Sequence, residues 1–103
     1  YDFVLYEYYF TDDAGHSQSM EKAIVTLQNV DRLLEGIVEH FNFKKNLFLL
    51  TSDHGNIEDV STKSHTRNPV PLLAMGIGHE AVARKVKRLV DVAPAVVRLI
   101  GDN

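Results

Sequence analysis

From residue 20 onward, apolar side chains recur at Ala23, Leu27, Val30, Leu34, Ile37 and Phe41, in alternating steps of four and three. That spacing winds one apolar stripe along an amphipathic helix of about six turns, and such a stripe needs a surface to pack on. Glu21 suits the positive N-terminus of this helix, while Gly36 inside it costs roughly 1 kcal/mol relative to alanine. Flanking apolar runs are too short for helices. Residues 1–10 (YDFVLYEYYF) are aromatic and β-branched, broken only by Asp2 and Glu7, and read as a buried strand. Residues 46–52 (NLFLLTS) read as a second central strand, and residues 70–75 as a third, with Pro71 at its start and Gly76 ending it. Residues 90–100 read as a short helix with Asp91 as N-cap, Pro94 in the first turn and Gly101 as the stop. Residues 81–89 fit either a strand or a loose turn. The order strand, helix, strand, strand, helix predicts an α/β fold, with a parallel-containing sheet and a right-handed crossover.

Composition narrows the function classes. The 103 residues are 45% hydrophobic and 24% charged, the balance of a globular chain. Formal net charge is −3, and Lys44, Lys45, Arg84, Lys85, Lys87 and Arg88 fall in two short groups. No broad basic surface is predicted to follow a phosphate backbone, so nucleic acid is not expected as a partner. No apolar run reaches the roughly 18 residues that span a bilayer, so no membrane partner is expected. The absence of cysteine excludes disulfides, thiolate metal sites and cysteine nucleophiles, and fits a reducing, cytoplasmic compartment. The chain starts at Tyr1 and runs at once into an apolar segment, which reads as a cut through a larger protein.

Two polar clusters carry the candidate chemistry. Residues 11–19 (TDDAGHSQS) read as a loop holding Thr11, Asp12, Asp13 and His16. Ser52, Asp53 and His54 follow the second run, and a long polar stretch without period, residues 53–69, contains His65; loops of that length are usually functional or disordered. In open α/β sheets, sites form beyond the carboxyl ends of strands, where both clusters are expected. Carboxylate and imidazole without thiolate suit Mn, Zn, Fe or, less well, Mg. The alternatives are plain: Asp12 and Asp13 as capping or turn residues, Asp53 as an Asx-turn former, His40 and His79 as solvated polar groups, and the 85–88 cluster as a charged face.

Taken together, TDDAGH at residues 11–16, TSDHGN at 51–56 with Glu58, HTRNPVPLL at 65–73 and DVAP at 91–94 resemble the alkaline phosphatase superfamily of metalloenzymes. Within it, the nearest likeness is to the C-terminal metal-binding segment of cofactor-independent phosphoglycerate mutases of the archaeal type. The resemblance implies a C-terminal portion, residues 1–103, of a three-layer α/β/α sandwich with a mostly parallel central sheet. It implies one metal site from Asp12, His16 and His65, with Asp13 in reserve beside Asp12, and a second site from Asp53 and His54. It also implies two divalent ions, Mn or Zn ahead of Mg, and a phosphate-ester small molecule as substrate. The family's Ser or Thr nucleophile and its N-terminal Asp ligand have no match here, so no catalytic residue is carried over.

The expected function is thus the metal-binding segment of a two-metal phosphotransferase, phosphatase or phosphomutase, inactive by itself. The alternative is a non-catalytic metal-binding or interaction remnant of the same fold. A metalloprotease is a poor reading, since no helical His-Glu-x-x-His pair occurs. An apolar sheet edge beside the aromatic first run would recruit a partner. Dimerisation or aggregation is the expected outcome in light scattering, and a clean monomer would show that the chain satisfies its own edges.

Overall fold

The computed structural model describes residues 1–101; Asp102 and Asn103, the last two residues of the expected 1–103 span, lie outside the described residues. The fold is mixed α/β, with helices α1 (Phe10–His16), α2 (Met20–His40), α3 (His79–Lys85) and α4 (Val92–Gly101), strands β1 (Leu47–Thr51) and β2 (Leu72–Gly76), and a 3-10 turn at Leu89–Asp91. Two compact units share these elements. One contains residues 1–3, 42–53 and 71 onward; the other contains residues 4–41 and 54–70.

The second unit is built on α1 and α2. Asp12 and Asp13 lie in the first turn of α1 and His16 in its last, the charge order that a helix dipole favours. Gln18 leaves α1 with a left-handed φ of 56°, its side chain donating to the Ser61 carbonyl at 2.9 Å. Ser17 Oγ donates to the Ala14 carbonyl, and Ser19 Oγ accepts the Lys22 N–H at 3.2 Å to cap α2, an interaction worth about 1 kcal/mol. Ala14 and Ala23 are buried. α1 and α2 contact each other, and their buried residues are small. The α2 stripe is half satisfied: Val30, Leu34, Ile37 and Phe41 are partly covered, whereas Leu27 is exposed.

In the first unit, β1 and β2 pair antiparallel, from Leu47 opposite Gly76 to Thr51 opposite Leu72. Gly76 has φ 103°, and a side chain there would meet the Asn46 carbonyl, so only glycine closes this end of the pair. Gly78, at φ 79°, starts α3, where a methyl group would come within 3.2 Å of Leu99 on α4. Val82 and Ala95 form the buried centre of this unit. Pro94 is the third residue of α4, where its missing N–H has no helical acceptor to lose.

Three expectations are corrected. Residues 1–9 form neither strand nor helix, and Tyr1, Val4, Leu5, Tyr6 and Tyr9 are exposed. Apolar, β-branched composition makes a strand favourable only when a ladder partner accepts its backbone groups, and the two described strands pair with each other. Residues 10–16 are a helix, not a loop, because Asp12, Asp13 and Ala14 suit a first turn as well as a turn. The two described strands are antiparallel, not parallel, since hydrophobic runs carry no record of strand direction. The undecided 81–89 stretch is α3 followed by extended chain and the 3-10 turn, with Ala, Glu, Arg and Lys favouring the helix.

Asp91 closes the 3-10 turn that precedes α4. Its Oδ2 accepts the N–H groups of Lys87 at 3.0 Å and Arg88 at 2.9 Å. These backbone hydrogen bonds, helped by the Arg88 guanidinium and against the pull of desolvation, hold its pKa below the ordinary aspartate value. A depressed folded-state pKa stabilises the fold above the unfolded value of about 3.9, and the gain disappears as pH falls through the lower folded value. Asp91→Ala should therefore lower the melting temperature at neutral pH. The gap from the unsubstituted chain should close on acidification, which thermal melts between pH 7 and pH 2 would measure.

Candidate metal centre

All the groups of the centre belong to the unit containing α1 and α2. Helix periodicity places Asp12 and His16 one turn apart, with His16 Nε2 3.3 Å from Asp12 Oδ1. The loop that follows residue 53 brings two more imidazoles to the same carboxylate oxygen: His65 Nε2 at 3.4 Å and His54 Nε2 at 3.7 Å. His16 and His65 face each other, Nε2 to Nε2, at 3.2 Å. The His54 and His65 rings stack, centroids 3.4 Å apart and 13° from parallel.

The loop is shaped by Glu58. Its Oε1 accepts the Asn56 N–H at 2.5 Å, and its Oε2 accepts the Thr66 hydroxyl at 3.0 Å. Gly55 and Thr66 form an antiparallel bridge, with the Thr66 N–H donating to the Gly55 carbonyl at 2.9 Å. His54 and His65 are the residues just before each side of that bridge, and the bridge therefore decides their stacking. A methyl group at Gly55 would collide with Thr66 Oγ1 and come within 2.8 Å of Glu58 Oε1.

Hydrogen bonding also sets the tautomers. His16 Nδ1 faces the Lys63 carbonyl, and His54 Nδ1 lies 3.2 Å from the Gly55 carbonyl. A carbonyl only accepts, so each Nδ1 is the donor, and Nε2 is the ring nitrogen left to face Asp12. This is the usual arrangement for a ligating imidazole anchored through its other nitrogen. Burial tends to raise the pKa of Asp12. The Asn56 hydrogen bond and the three neighbouring imidazoles outweigh that and hold the carboxyl below the ordinary aspartate value.

The donor set fits a divalent cation. Ligand bonds of 2.0–2.1 Å in tetrahedral geometry put neighbouring donor atoms about 3.3–3.4 Å apart; the contacts among Asp12, His16 and His65 are 3.3, 3.4 and 3.2 Å. Asp12, His54 and His65 also form a set whose donor atoms all lie within 4.8 Å of one another. Asp12 and His65 thus belong to both sets, while His16 and His54 approach from different elements.

Of the residues named from the sequence, Asp12, His16, His54 and His65 come together here. Asp13 is exposed in the first turn of α1 and is outside the group of mutually close donors. Asp53 belongs to the other compact unit, two residues beyond the end of β1. His40 and His79 are exposed, His79 bonding the Gly76 carbonyl. Sequence reasoning assigned no task to Asn56, Glu58 or Thr66. The available signal was the Asn-x-Glu spacing just after His54, two polar residues that a tight turn can bond through backbone and side chain together.

Gly55→Ala should force Thr66 and Glu58 apart and lower stability by about 1–3 kcal/mol, the usual range for overpacking. Urea denaturation checks this.

A profile of the Metalloenzyme superfamily matches residues 1–103. The chain is 36% identical, over 98% of its length, to a 2,3-bisphosphoglycerate-independent phosphoglycerate mutase of Desulforudis audaxviator, and covers 21% of that protein. It is 33% identical to the enzyme of the same name from Acetivibrio thermocellus, with 98% of the chain and 21% of the relative aligned. For 2,3-bisphosphoglycerate-independent phosphoglycerate mutase 2 of Methanosarcina barkeri the identity is 34%, over 98% of the chain and 20% of the relative. The chain thus spans about a fifth of the length of these curated relatives. No solved structure matches it.

Proposed function

The chain belongs to the Metalloenzyme superfamily, and from that premise we propose that it is a metal-binding segment of a metal-dependent phosphomutase or phosphatase. The observation that carries the reading is the convergence of three imidazole nitrogens on Asp12 Oδ1, at 3.3, 3.4 and 3.7 Å. A carboxylate with imidazoles, and no thiolate, favours Mn or Zn over Mg.

In this reading Asp12, His16 and His65 hold one ion, and His54 with Asp53 serves a second. The alternative grouping of His54 with Asp12 and His65 is supported by their mutual proximity. Asp12 supplies the negative charge, His16 and His54 present Nε2 because their Nδ1 protons are engaged by carbonyls, and Glu58 holds the His54 and His65 segments together. Divalent ions bound there would polarise phosphoryl oxygens and stabilise charge developing on them.

The substrate class is a phosphate-ester small molecule, in keeping with the names of the relatives. The proposed setting is a longer cytoplasmic enzyme with a three-layer α/β/α sandwich, to which residues 1–103 correspond as the C-terminal portion. The antiparallel β1–β2 pair is compatible with it, because largely parallel sheets often carry an antiparallel strand. Dimerisation through apolar surface, with Tyr1, Val4, Leu5 and Tyr6 exposed, belongs to the same proposal.

Calorimetric titration with Mn2+ and Zn2+ tests the metal reading. The unsubstituted chain should bind, and His65→Ala should lose at least about tenfold in affinity; unchanged binding by His65→Ala would remove His65 from the ligand set. The chain alone should not hydrolyse p-nitrophenyl phosphate, because no counterpart of the family's Ser or Thr nucleophile is identified in it. Robust turnover would overturn the proposal that it acts only as a segment. A non-catalytic metal-binding role is the second reading, and would appear as metal binding without turnover even when a complementary remainder of such an enzyme is supplied.

A further inference from the structure

We infer that Asn56 is a positioning residue that locks Asp12 in the orientation the metal centre needs. The inference rests on reading the Asp12 cluster as a metal site.

Asn56 is the one buried polar side chain among the described residues, with 5% of its surface exposed. Its Nδ2 donates twice to one residue: to Asp12 Oδ1 at 2.7 Å and to the Asp12 carbonyl at 3.0 Å. Both partners are acceptors, so the amide orientation follows from the chemistry, and its Oδ1 must point the other way. There it has no hydrogen-bond partner. A buried acceptor left unpaired costs about 1–3 kcal/mol, which is unexpected for a residue whose role is only to fill space. A leucine would fill similar space without that cost.

What Asn56 does that leucine cannot is fix a torsion. Two hydrogen bonds from one amide to the backbone and side chain of Asp12 determine where its carboxylate points. The Oδ1 atom they hold is the one that His16, His54 and His65 approach. The same atom therefore meets one amide donor and three imidazole nitrogens. Hydrogen-bonded support of a ligating carboxylate is worth about 10–100-fold in metal affinity where it has been removed.

Gly15 makes room for this arrangement. It is buried in α1, and a methyl group there would lie 2.5 Å from Asn56 Cγ. Glycine inside a helix is unfavourable by about 1 kcal/mol relative to alanine, so Gly15 is kept against local propensity by the side chain it faces. Glu58 secures the other end of Asn56, accepting its backbone N–H.

Asn56→Leu, titrated calorimetrically with Zn2+, should bind about 10–100-fold more weakly than the unsubstituted chain. The visible spectrum of its Co2+ complex should change as well, a readout that a loss of packing alone would leave unaltered. Gly15→Ala, which retains the amide but displaces it, should weaken Zn2+ binding in the same direction although alanine favours the helix. In the unsubstituted chain, the Asn56 side-chain amide protons should exchange slowly with water and shift in NMR spectra on Zn2+ addition; this measurement decides the question if neither variant folds. Zn2+ affinity within about threefold with the same Co2+ spectrum, or amide protons that exchange freely and ignore Zn2+, would overturn the assignment. Failure of the unsubstituted chain to bind any of these ions sinks the metal reading and this inference together, whereas equal binding by variant and parent sinks only the role of Asn56.

Discussion

The two hydrogen bonds from Asn56 to Asp12 join residues 44 positions apart in sequence, and with those of Gln18 and His16 to the same loop they bring the candidate centre together. By itself α1 carries a carboxylate and a histidine one turn apart, a common and uninformative pair. With these links the loop after residue 53 is anchored to the α1 region, and His54 and His65 reach the same oxygen as His16. A low-dielectric setting strengthens such bonds when they are made and penalises them when they are not. Asn56 shows both sides, with its amide donors satisfied and its carbonyl acceptor unpaired.

The loop itself has almost no regular structure, so polar side chains substitute for a backbone ladder. Asp59 accepts the Ser61 N–H and hydroxyl, Thr62 and Ser64 bond one another, and the Thr66 hydroxyl accepts the Asn68 N–H. The Ser61 hydrogen bonds hold the Asp59 carboxyl below its ordinary pKa. Each is a local turn device that shortens the range of conformations available to the open loop. Glu58 then closes the larger circuit by bonding both the Asn56 N–H and the Thr66 hydroxyl. Ordering a loop of this length is entropically costly, and among the bonds that offset the cost those of Glu58 tie together the segments that carry His54 and His65.

Legibility in the sequence differed by element, for physical reasons. The α2 helix was readable because its period is long, and β1 and β2 because short apolar runs bounded by polar and glycine residues have few other fates. Residues 1–10 were misleading. Their composition suits a strand, but a strand exists only with a partner, and among the described residues none is paired with it. In the site, Asp12, His16, His54 and His65 were identifiable from motif and residue type. Asn56, Glu58 and Thr66 were not, because a hydrogen-bonding residue in a polar loop looks the same whether it supports a ligand or faces water.

By itself the sequence determined the mixed α/β character, the absence of thiolate chemistry and the choice of carboxylate and imidazole as donors. These follow from composition and periodicity, which act locally and can be read locally. Tertiary structure alone decided that β1 and β2 run antiparallel, that Asn56 bonds Asp12, and that His65 stacks on His54. Each of those outcomes depends on a contact between residues far apart in the chain, and the energy of such a contact is not contained in either residue's identity.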